Sequence, residues 1–237
     1  MLLGLAASSL WLAASAESGE PRPAALGTGR AVIVPVNLAV RAAPEVEPGV
    51  APVWRALLSY FATEAKPAIA LDRGDAASLW SEVMADARQA GEEKNLFAGY
   101  ARFARRIAGQ VECETVVFSN IVTHAARLNQ RSADWDGVHR IVDVPGQLFE
   151  GIDAFREGKI WIERRGASGE LAAASLHVAV VSASGELRHE GRGGLVLLQE
   201  LVSPHPPSDV DLTTVMRKEP FAAPDQLDEG IRAALRE

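Results

Sequence analysis

Residues 115–122, Thr115-Val-Val-Phe-Ser-Asn-Ile-Val122, form the clearest strand-like run in the chain, a series of β-branched and aromatic side chains interrupted only by Ser119 and Asn120. A continuous apolar run of this length reads as a strand near the centre of a sheet. A second run, Ala31-Val-Ile-Val-Pro-Val36, reads the same way and stops at Asn37. Pro35 sets it near an edge or at its own end, because proline gives no amide to a ladder.

Helical periodicity fills the interval between the two runs. Val53, Trp54, Leu57, Leu58 and Phe61 follow the stripe of an amphipathic helix, with Pro52 in its first turn and Pro67 as its stop. Ala68-Ile-Ala-Leu71 is a second short strand. Asp75 suits the N-cap of a second helix carrying Leu79, Trp80, Val83, Met84 and Ala87, and Gly91 suits its left-handed C-cap. A third helix carries Leu96, Phe97, Tyr100, Phe103, Ala104 and Ile107 and ends near Gly109. Its Arg102, Arg105 and Arg106 read as a solvated face that complements the helix dipole.

After the central strand the pattern loosens. Arg127 to Gly137 is polar and ends in Asp134-Trp-Asp-Gly137; Val138 to Val144 is a weaker strand closed by Pro145-Gly146. Leu148 to Glu157 fits neither period, and Lys159 to Glu163 fits a short strand. A late hairpin follows, in which Leu176 to Val181 turns at Ser184-Gly185 and returns from Leu187 to Leu201 through Gly191, Gly193 and Gly194. That turn sets His177 opposite Arg192 and His189 opposite Val180, and glycines inside a strand imply a bulge or a close backbone approach. Leu227, Ile231, Ala234 and Leu235 mark a closing helix begun near Pro224 and Asp225. The order predicts the α/β class, with a mixed five- to seven-stranded sheet flanked by helices, a late β-hairpin and a C-terminal helix, in one domain over residues 30–237.

Residues 1–16 are uncharged and apolar and close on Ala14-Ser-Ala16, the shape of a signal peptide, and residues 17–29 read as a flexible tether. A secretory leader normally opens with Lys or Arg, and no positive charge precedes Arg22. With no cysteine at the cleavage point, the expectation is a periplasmic protein without a lipid anchor or, after cleavage, a transmembrane segment. A net charge of −7, from 24 basic and 31 acidic residues, argues against nucleic acid as a partner. The single cysteine, Cys113, allows no internal disulfide and reads as a small buried hydrophobe.

Motifs for chemistry are absent or lack context. Gly191-Arg-Gly-Gly194 runs into Leu-Val-Leu-Leu, whereas a phosphate loop must open a helix. No Gly-x-Ser-x-Gly occurs, the five histidines lack metal-ligand spacing, and Asp134-Trp-Asp-Gly137 lacks the remaining ligands of a calcium loop and reads as a turn. No catalytic residue, metal or cofactor is therefore assigned. Open α/β sheets bind ligands beyond the carboxyl ends of their parallel strands. Those ends supply Asn37, Asp72, Arg73, Ser119 and Asn120 as the candidate ligand-binding residues.

The order of elements, from Val32-Ile-Val-Pro-Val36 through the strand at Thr115 to the hairpin with Gly185 at its turn and Gly191 beyond, resembles an envelope family. It is similar to the small α/β domain of the N-terminal part of the translocation protein TolB, the curli secretion channel subunit and related periplasmic lipoproteins. Members often place an aromatic residue in the second hairpin strand, where this chain has His189. The resemblance implies a non-catalytic cell-envelope component, an accessory or assembly protein acting through protein contacts. A periplasmic hydrolase or transferase with an unrecognised site, and a small-ligand-binding protein, are the alternatives.

Overall fold

A computed structural model describes residues 29–64, 67–143, 167–202 and 213–236. The leader, most of the tether and the segments at Leu148 to Glu157 and Lys159 to Glu163 lie outside the described residues. The element order is β1 (Ala31–Ile33), a 3₁₀ turn (Glu47–Gly49), α1 (Val50–Thr63), β2 (Ala68–Ala70), α2 (Arg73–Gln89), α3 (Leu96–Ala108), β3 (Thr115–Gln130), β4 (Ser132–Trp135), β5 (Val138–Ile141), β6 (Ala167–Ser182), β7 (Leu187–Leu197), β8 (Gln199–Val202), β9 (Thr213–Met216) and α4 (Pro224–Ala234).

The α/β class holds. Seven strands form one mixed sheet, and β8 and β9 form a separate two-stranded ribbon. β1 lies between β2 and β3, parallel to both, so it is an internal strand and Pro35 falls just past its end. It is shorter than the run Ala31–Val36 predicts, because the chain turns away at Asn37, whose φ is +58°. β3 runs antiparallel to β6 over sixteen residues, and β6 to β7.

Alternation along the strands builds two cores against the helices, and a third cluster of Leu128, Trp135, Val138, Leu171 and Leu197 lies under the β4–β5 hairpin. On one face Ile33, Val117, Leu176, Val178 and Val180 pack with Leu57, Phe61, Leu227 and Ile231 of α1 and α4. On the other, Val32, Val116, Phe118, Ala179 and Val181 pack with Val83, Tyr100, Phe103 and Ile107 of α2 and α3. Tyr100 stacks on Phe118 with ring centroids 4.1 Å apart, and Phe103 meets the same ring edge-on at 5.5 Å.

The polar stretch from Arg127 is more regular than its sequence suggests. It continues β3 and turns into β4 with Asn129 opposite Ser132. Asp136 and Gly137, at φ +37° and +77°, make the two-residue turn into β5. That hairpin folds over the sheet face, where the Trp135 indole donates to the Ala174 carbonyl and the Gly194 amide donates to the Asp136 carbonyl.

Two local expectations change. The N-cap of α2 is Asp72, not Asp75, since the Asp72 carboxylate accepts from the amides of Gly74 and Asp75 at 2.7 and 3.3 Å. The β6–β7 connection has four residues, 183–186, because Val181 pairs with Leu187 across a bulge. Beyond the bulge the register is as predicted, with His177 opposite Arg192 and Val180 opposite His189. Gly91, at φ +72°, closes α2 as a left-handed cap: its amide reaches the Arg88 carbonyl while the Glu92 amide reaches that of Ala87.

Candidate functional site

The carboxyl ends of β1 and β2 open into a cleft of about 1260 Å³. The turn after β1 supplies Pro35, Asn37, Arg41 and Ala42, the start of α1 supplies Val50, Ala51 and Trp54, and the β2–α2 junction supplies Leu71, Asp72 and Arg73. Three of the five sequence-derived candidates, Asn37, Asp72 and Arg73, thus converge.

Much of their hydrogen-bonding capacity goes into the fold. Asn37 Oδ1 accepts from the Ile121 amide at 2.9 Å and its Nδ2 donates to the Val40 carbonyl at 3.1 Å and the Ile121 carbonyl at 3.4 Å. With the Asn37 amide on the Ser119 carbonyl at 2.9 Å, these bonds carry the β1–β3 ladder one step past the end of β1, a side chain doing what backbone did before. Asp72 holds the first amides of α2, and Arg73 donates to the Val36 carbonyl at 2.9 Å. What remains along the cleft is the Trp54 indole, Pro44, the Arg41 and Arg73 guanidinium groups and the Glu47 carboxylate. Among the described residues, neither Arg41 nor Arg73 has a carboxylate partner within salt-bridge distance.

Ser119 and Asn120 do not line the cleft, because β3 runs on to Gln130 and leaves both in mid-strand. Both are buried. The Ser119 hydroxyl has no hydrogen-bond partner among the described residues. Asn120 lies on the opposite face, where its Nδ2 donates to the Tyr100 hydroxyl at 2.9 Å. Burial raises the Tyr100 phenol above its usual pKa; the Asn120 hydrogen bond opposes this and the nearby Glu190 adds to it.

Other sequence candidates are accounted for structurally. A side chain at Gly193 would run into the Gly230 carbonyl and one at Gly191 into the Ala234 carbonyl, so these two glycines of β7 let α4 lie directly on the strand, whereas Gly194 makes room for Trp135 and Val138 of the β4–β5 hairpin. His189, in place of an aromatic residue, contacts the Ala234 carbonyl oxygen through Nε2 at 2.8 Å. His177 pairs with Glu190 at 2.8 Å, apart from His189. Arg102 and Arg106 pair with Glu92 and Glu82 at 2.8 and 3.0 Å, and Arg105 donates to the Ser184 carbonyl at 3.0 Å. Cys113 is only partly buried, packs at the edge of the α2–α3 core, and has its thiol pKa raised by desolvation. Among the described residues no three His, Cys, Asp or Glu side chains come together as a metal site, and no helix is long and apolar enough to cross a membrane.

Arg41 and Trp54 are the cleft residues that sequence reasoning passed over. Trp54 had a signal, since it sits at the margin of the α1 stripe and is only half-buried. Arg41 had none, as a charged residue in a proline-punctuated loop. Compared with known proteins, the chain matches no family model, no curated protein and no solved structure.

Proposed function

We propose that the chain is a non-catalytic, exported binding protein of the cell envelope that engages a segment of a partner protein in the cleft at the carboxyl ends of β1 and β2. The observation that carries this reading is the division of labour at the cleft: Asn37, Asp72 and Arg73 bond backbone groups of the fold, leaving a recognition surface of Trp54, Pro44, Arg41 and Glu47. Its size adds support, since about 1260 Å³ exceeds the roughly 300–1,000 Å³ of small-molecule sites and suits a stretch of polypeptide. An indole beside arginines is the composition of interface anchors. The leader-like Met1 to Ala16 supports the envelope setting.

The test is site-specific photo-crosslinking from exposed Arg41 in living cells. The expected result is a discrete cross-link to an envelope protein, lost on Trp54→Ala while circular dichroism and the unfolding midpoint show a folded chain. Cross-linking that survives Trp54→Ala, or a protein found wholly in the cytosol, would reject the reading.

A further inference from the structure

Among the described residues, the central strand carries an unpaired stretch of edge. Odd-numbered residues of β3 turn their backbone groups toward β1: the Val117 and Ser119 carbonyls accept from Val34 and Asn37, and both backbone groups of Ile121 meet the Asn37 side chain. Pairing on that side resumes only at Arg127, opposite Asp134 of β4. The β3–β6 ladder is unbroken throughout, so the even-numbered residues bond β6 and the backbone groups of Thr123 and Ala125 face the interval between Asn37 and β4. Among the described residues nothing bonds them, and Thr123, His124 and Ala125 are consecutive exposed residues in the middle of a sixteen-residue strand. Unpaired amides and carbonyls in ladder register are complementary to one kind of occupant, another extended backbone.

We infer that a partner's extended segment adds to β3 at Thr123 and Ala125 as a short strand in line with β1. This rests on the reading of the cleft as a protein-binding site and names the form of its ligand, for Asn37 both lines the cleft and ends the β1–β3 ladder, so the two sites share a boundary. Main-chain hydrogen bonds hold the segment at β3, and Trp54 and Arg41 read its continuation.

Amide exchange by NMR on the full chain tests the idea, with a phage-displayed library of random twelve-residue peptides as the probe. In the chain alone the Thr123 and Ala125 amides should exchange at least about a hundredfold faster than those of Val122 and His124, which bond β6. A selected peptide should slow both by at least tenfold and bind Ala125→Pro at least tenfold more weakly. Proline there removes only an outward amide. Should that variant fail to fold, the same peptide with alternate backbone nitrogens methylated replaces it and should likewise lose tenfold. Protection of the two amides in the isolated chain, or the lack of any peptide that protects them, would overturn the inference. A peptide that needs Trp54 yet leaves both amides unprotected would overturn strand pairing alone and leave the cleft reading standing. One that protects them and is indifferent to Trp54→Ala would do the reverse.

Discussion

At the scale of single residues, Asn37 does two things that different substitutions separate. Its positive φ is tolerated by asparagine and glycine but costs other residues about 1–2 kcal/mol, and its side-chain bonds to Ile121 and Val40 contribute about 1 kcal/mol each. Asn37→Ala should therefore lose about 3–4 kcal/mol in urea denaturation and Asn37→Gly about 2 kcal/mol, since glycine loses the bonds but not the backbone conformation; equal losses would show that conformation contributes nothing. The two tyrosines offer a second measurement. Tyr60 is raised by burial first and by Glu64 second, against Arg232 and Arg236, and Tyr100 by burial first. An exposed tyrosine is half ionised near pH 10, so absorbance at 295 nm should show the folded protein well behind that point. The sign follows: with both folded-state values raised, their contribution to stability is intact below about pH 10 and is lost as pH rises through the folded-state values. The urea midpoint should fall across that range, and Tyr100→Phe should reduce the fall.

At the scale of elements, α4 and β7 meet backbone to backbone. Gly193→Ala would press a methyl against the Gly230 carbonyl, and backbone does not yield as a flexible side chain does. A loss of about 3 kcal/mol or more is expected. Gly91→Ala is the contrasting case, with open space around the added carbon and φ at +72°, and should cost about 1 kcal/mol. If the two variants unfold at similar urea concentrations, close approach is not what the β7 glycines provide. The sequence announced close approach through glycines inside a strand pattern, two of which, Gly191 and Gly193, face α4, and it announced α1 to α4 through their stripes. It misjudged β3 and β4, because Arg127, Asn129 and Asp134 look like loop residues although each sits exposed on a strand beside buried Leu128, Ala133 and Trp135. Alternation of that kind is visible only once the partner strand is known.

At the scale of the molecule, stability among the described residues rests on the two cores about the sheet and on a third cluster of Leu128, Trp135, Val138, Leu171 and Leu197 under the β4–β5 hairpin. Cys113 is the single cysteine, so reducing agent should leave the thermal midpoint unchanged; a shift would point to a covalent dimer. The candidate site was legible in part for a reason of topology. The strand-end rule located Asn37, Asp72 and Arg73 because β1 and β2 do stop there. It misplaced Ser119 and Asn120 because the third parallel strand continues for ten residues past Asn120 as half of a long antiparallel pair, and no local signal marks where one neighbour leaves and another arrives.

The vacant stretch of β3 also bears on solubility. Long exposed edges are where sheets of separate molecules join and propagate into aggregates. Here the vacancy is fenced on one side by the Asn37 side chain at Ile121 and on the other by β4 at Arg127, a span of about 20 Å at strand rise. A neighbouring sheet whose edge runs longer than that span would meet one fence or the other before it paired along its whole length, so the fences limit how far such joining can propagate.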